Sequence, residues 1–135
     1  ASRTYMLDNI YERSYIFSMQ LDAQTFFAAL SHEIRLRCLV LLQSQGELCV
    51  CELTHALGLS QPMVSRHLAL LREAGLVTDR RVGVWIYYAI NPALPEWART
   101  VLATSVAGVQ EQKPFQADLA SLEEMPNRPG ASCCA

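Results

Sequence analysis

The sequence predicts a mainly α-helical domain that carries one small β-hairpin. Three observations support this. Apolar residues recur at helical spacing between residues 20 and 74, and glycines at 46, 58 and 75 divide that run into segments. Residues 76–90 then change character to Val, Ile, Trp and Tyr around Val82-Gly83, the composition of two short strands and a turn. A last amphipathic stretch covers 93–109, with Leu94, Trp97, Val101 and Leu102 on one side.

Taken in order, residues 1–18 are polar and aromatic without a period and read as a leader, with Met19 a candidate start of the native chain. Residues 19–110 hold the folded unit. Its first helix is expected over 20–30, with Phe26, Phe27 and Leu30 as the apolar face. Ser31 is the expected cap of a second helix over 32–43, which Gly46 ends. A third helix is expected over 50–57, with Cys49 at the cap and Glu52 three residues on in a capping-box arrangement, stopped by Gly58. Ser60 then caps a fourth helix over 61–74, where Pro62 is tolerated in the first turn. Strands follow over 76–81 and 84–90, and Asn91-Pro92 breaks the second. From 111 to 135 the chain reads as a flexible tail, because Pro126, Pro129 and Gly130 argue against a long helix.

A chain of 135 residues that is 51 % hydrophobic suits one domain with its own core. The net charge of -2 gives no general support to nucleic-acid binding, so any basic surface must be local. One exists: Arg66, Arg72, Arg80 and Arg81 stand against only Glu73 and Asp79 between residues 61 and 81. No apolar run reaches the roughly 18 residues of a membrane helix, and no signal-peptide pattern opens the chain, so a cytoplasmic location without a membrane partner is expected. The five cysteines, Cys38, Cys49, Cys51, Cys133 and Cys134, fall partly in two close sets, which in a reducing compartment point to metal or redox chemistry before disulfides.

Two short helices joined by Gly58-Leu59-Ser60 and followed by a hairpin form a winged helix-turn-helix, a module that reads duplex DNA. Packing the apolar stripe of the fourth helix inward would present Gln61, Met63, Ser65, Arg66 and His67 outward. Glutamine can pair bidentately with adenine and arginine with guanine, while serine can bond either. Arg80 and Arg81 on the hairpin suit phosphates or the minor groove. So small a module reads few base pairs, and a homodimer would double the footprint. The spare apolar surfaces lie on the first and last helices, so Phe26, Phe27, Trp97 and Val101 are the expected dimer interface. The chain offers no nucleophile–base pair, paired carboxylates or phosphate-binding loop of an enzyme.

The segments ALSHEIRLRCLVLL (29–42), ELCVCEL (47–53), LGLSQPMVSRHLALLREAGLV (57–77) and RRVGVWIYYAI (80–90) together resemble the ArsR/SmtB family of metal-responsive repressors. ELCVCEL resembles the arsenic-sensing branch. The resemblance implies a homodimer that represses a resistance operon by binding operator DNA until trivalent arsenic (arsenite) or antimony (antimonite) binds its cysteines. Two departures stand out. The third cysteine usual in that branch is replaced by Thr54, and the Asp and His ligands of the zinc-sensing branch are missing from 93–109. Val82 and Val84 also occupy a wing tip where charges are common in the family.

Soft trivalent metalloids prefer a pyramid of thiolates, which makes Cys49 and Cys51 the candidate captors. On a regular helix, residues two apart point away from each other, so the pair is expected to converge only if the first turn is reshaped. The third ligand stays open among Cys133 or Cys134, an external thiol, or the pair alone. Cys38 reads as a buried small hydrophobe, and His55 as a surface residue that could also serve zinc. Zinc, cadmium or thiol oxidation is the alternative input, and a protein-interaction module without DNA the alternative class.

Overall fold

The computed structural model describes residues 21–129. Within them the order is α1 (Ala23–Leu30), α2 (Glu33–Gln45), β1 (Leu48–Cys49), α3 (Val50–Leu57), α4 (Gln61–Glu73), β2 (Val77–Val82), β3 (Trp85–Ile90), α5 (Glu96–Val109) and α6 (Phe115–Glu123). This is the expected winged helix-turn-helix with two additions, the short strand β1 and the helix α6.

Side chains set most of the boundaries. Asp22 caps α1 by accepting the Thr25 amide at 2.9 Å. The cap of α2 is His32, whose Nδ1 accepts the Ile34 amide at 3.1 Å, and not Ser31. Ser31 instead closes α1, with its amide and hydroxyl both donating to the Ala28 carbonyl. Gly58 ends α3 at φ 68°, a left-handed conformation that only glycine adopts freely. Ser60 accepts the Met63 amide and opens α4, so the helix-turn-helix junction is fixed at both sides.

α2 runs through the centre of the molecule, and five consecutive residues, Cys38 to Leu42, are buried on it. Around it Phe26, Leu53, Val64, Leu68, Leu71, Leu76, Leu102 and Leu122 complete one main core. The sheet has the order β1-β3-β2, antiparallel throughout. β2 and β3 make the wing, in register from Val77↔Ile90 to Val82↔Trp85, so that Gly83 and Val84 form the tip. Asn91 closes its base: the side-chain amide donates to the Gly75 carbonyl and the side-chain oxygen accepts the Ala93 amide.

Residues 111–129 depart from the expectation of a flexible tail. α6 buries Phe115, Asp118 and Leu122 against α2 and α3. Arg37 of α2 locks it there through two bonds to the Asp118 carboxylate, 2.8 and 2.7 Å long, and donates also to the Leu57 carbonyl at the end of α3. Pro126 and Pro129 stand after the helix has ended, so they never oppose it. Residues 1–18 and the cysteines 133 and 134 lie outside the described residues.

Candidate nucleic-acid interface and thiol site

The amphipathic stripe of α4 decides which of its residues face outward. Val64, Leu68 and Leu71 are buried, which leaves Gln61 and Arg66 exposed and Met63 and Ser65 half-buried on the outer side. His67 corrects the sequence expectation. It sits beside Leu68 on the inner stripe, only 6 % exposed, with its ring 4.5 Å from that of His32. Burial, then His32, Arg35 and Arg66, push its pKa below 6.5. A side chain so placed does not reach a base edge.

On the wing, Arg80 is held by Glu47 through two bonds of 2.6 and 2.8 Å, with its guanidinium over the Tyr87 ring. Arg72 pairs with Asp79 and ties α4 to β2. On α4 and the wing, Arg66 and Arg81 enter no such pair among the described residues, and both are exposed, so on these two elements they carry the available positive charge. Val82 and Val84 stand exposed at the tip.

The two cysteines of the 47–53 segment meet without any reshaping. Cys49 is an extended residue of β1, φ -73° and ψ 152°, paired with Tyr87 of the wing. It is therefore off the helical wheel that carries Cys51, and the two sulfurs stand 3.2 Å apart. This is well beyond the roughly 2.04 Å of a disulfide. The expectation that the pair converges only on distortion is thus overturned: the strand-to-helix junction already supplies the convergence. Glu52, buried, accepts the Cys49 amide at 2.8 Å on one oxygen. Its other oxygen accepts Arg128 Nε, also at 2.8 Å. That bond brings the chain five residues before Cys133 to the thiol turn, a contact that sequence spacing does not reveal. Cys38 lies in the core, its thiol pushed up to about 12 by burial.

Beside the sulfurs opens a cleft of about 420 Å³, lined by both cysteines together with Thr54 and His55 of α3, Gln61 and Ser65 of α4, and Val84, Trp85 and Ile86 of the wing. His55 is exposed. The Thr54 hydroxyl is shielded from water and has no hydrogen-bond partner. Among the described residues no group of three or more His, Cys, Asp and Glu could hold a metal ion. At its wall the cleft has Cys49, itself buried, and the half-buried Cys51.

The expected dimer face divides. Phe26 is fully buried in the chain's own main core, with its ring edge-on against Trp97 at 5.1 Å between centres. Phe27 and Trp97 are 50 % and 42 % exposed and lie side by side. Val101 is half-buried against the core.

Residues 32–79 match the profile of the bacterial regulatory proteins of the arsR family. The arsenic resistance transcriptional regulator ArsR1 of Pseudomonas putida is 49 % identical over 78 % of this chain and 83 % of its own length. The chain belongs to the ArsR family. Family membership makes it a DNA-binding transcriptional repressor of the winged helix-turn-helix type, not an enzyme. The arsenical resistance operon repressor of Escherichia coli is 47 % identical over 66 % of this chain and 72 % of its own. Among solved structures, a homodimeric winged helix-turn-helix domain from Mycobacterium bovis, described as a possible ArsR-family regulator, superposes with a TM-score of 0.54 at 28 % identity. It covers 76 % of this chain and 88 % of that one. No described helix of this ArsR-family chain is long and apolar enough to cross a membrane.

Proposed function

We propose that this repressor binds its operator as a homodimer and is released when trivalent arsenic or antimony is captured by Cys49 and Cys51. The observation that carries the reading is the 3.2 Å separation of the two sulfurs at the wall of the cleft. With metal–thiolate bonds of about 2.3 Å, sulfurs at that distance subtend roughly 90° at a shared centre, whereas a tetrahedral zinc site spreads them to about 3.8 Å. A right-angled pair suits a pyramidal metalloid. The names of the arsenic-resistance relatives point the same way. Cys133 and Cys134 are not needed to hold the metalloid in this proposal.

The geometry also supports a direct route to release. Cys49 pairs with β3 of the wing, and the cleft is walled by Gln61 and Ser65 at the start of the reading helix. An occupant of the cleft therefore meets both DNA-contacting elements at once. It weakens operator binding to the extent that it fits the DNA-bound arrangement less well than the free one. Gln61, Ser65 and Arg66 read bases in this proposal, Met63 packs beside them, and Arg81 meets the backbone from the wing, where Arg80 joins it only by leaving Glu47. Phe27 and Trp97 form the dimer contact.

Operator anisotropy with the cysteine series is the test. Cys49→Ser and Cys51→Ser should bind operator as the parent does and stay bound when arsenite is added. A serine variant that still dissociates with arsenite would overturn the assignment. The sulfur contact also favours a second reading, oxidation of the pair to a disulfide; release by hydrogen peroxide with arsenite inert would put an oxidant in place of the metalloid.

A further inference from the structure

Arg80 and Arg81 are neighbours on β2, so their side chains leave opposite faces of the wing. Arg81 stands opposite Ile86 and Arg80 opposite Tyr87. Tyr87 pairs on its other side with Cys49. Arg80 therefore lies on the face that leads across β3 to β1, and Glu47 stands just before β1. The Glu47 carboxylate takes two prongs of the guanidinium, Nε at 2.6 Å and Nη2 at 2.8 Å, with the guanidinium over the Tyr87 ring. Both side chains are partly open to solvent, 59 % for Arg80 and 35 % for Glu47, so a competing anion can approach.

A carboxylate held this way does for arginine what a backbone phosphate does: two anionic oxygens meet two N–H groups in parallel. A wing tip that enters a groove has a wall of phosphates on either side, one for each face of the hairpin. We propose that Glu47 stands in for a DNA phosphate on Arg80, so that the operator must displace it before the second face of the wing engages the backbone. This rests on the wing meeting DNA and is independent of metalloid capture. Exposed ion pairs are worth a factor of about two to five. The contact therefore tempers operator affinity without preventing binding. Arg81 supplies the first phosphate contact from its own face, and Arg80 adds a second only where the duplex is seated closely enough to replace Glu47.

Operator anisotropy on the full chain over a salt series reads both affinity and the number of phosphates engaged. Glu47→Gln keeps the size of the side chain and removes its charge. It should tighten operator binding by about two- to fivefold for each wing. It should also steepen the fall of log K with log salt by about 0.9 for each phosphate gained. Arg80→Met should weaken the Glu47→Gln variant more than it weakens the parent, and with Arg80→Met in place Glu47→Gln should no longer tighten the operator. That last arm separates displacement from plain repulsion. If removing the carboxylate tightens binding equally with and without Arg80, Glu47 is only a negative charge near DNA and the proposal is overturned. Equal or weaker operator binding by Glu47→Gln overturns it too. Arg81→Met is the control for the wing, and it should weaken the parent and flatten its salt slope. If it changes neither, the reading that the wing meets DNA fails beneath the proposal.

Discussion

At the scale of single residues, function and structure compete for the same helix faces. Gln61 and Arg66 are exposed at the start of α4, and replacing either by alanine should cost about 1–3 kcal/mol of specific operator binding if it makes a bidentate base contact. A fluorescence anisotropy titration checks this. His67 behaves differently because it is buried. Its pKa is depressed in the folded chain, so the unfolded chain binds the proton more readily. Stability contributed by its neutral form is therefore present above about pH 6.5 and is lost as the pH falls below that value. His67→Leu should flatten the drop in thermal midpoint between pH 7 and pH 5 relative to the parent. The difference between these residues was only half legible in the sequence: the 64/68/71 stripe is plain, but whether residue 67 joins it depends on His32 arriving from the cap of α2.

Among the elements, α3 is tied down at both ends. Glu52 and Arg128 meet at its first turn, and Arg37 with Asp118 braces its last. Asp118→Ala leaves the Arg37 guanidinium partly buried without its carboxylate, and the loss should approach about 3–5 kcal/mol, measured by urea denaturation. Gly58→Ala should cost about 1–2 kcal/mol in the same assay, because alanine resists the left-handed turn between α3 and α4. The helices, the hairpin and the capping box at Cys49 were legible from spacing, caps and glycines. Two things were not. The convergence of Cys49 and Cys51 depends on β1, a two-residue strand that exists only because β3 lies beside it. α6 carried its signal in Phe115, Leu119 and Leu122, but the prolines at 126 and 129 weighed against it although they fall beyond its end.

At the scale of the whole molecule, the reading helix, the wing and the thiol pair surround one cleft, and the exposed Phe27 and Trp97 stand on α1 and α5. A Phe27→Asp/Trp97→Asp variant should sediment as a monomer and lose most of its operator affinity, since the footprint halves. The central claim is that one cleft couples metalloid to DNA. Coupling between two sites is reciprocal. The direct test is the operator affinity of the protein measured by anisotropy with and without saturating arsenite, alongside the arsenite affinity of free and operator-bound protein. The account predicts that the operator weakens by about 5- to 150-fold, the usual span of coupling energies, and that arsenite weakens by the same factor on DNA. An operator affinity unchanged by saturating arsenite would contradict it.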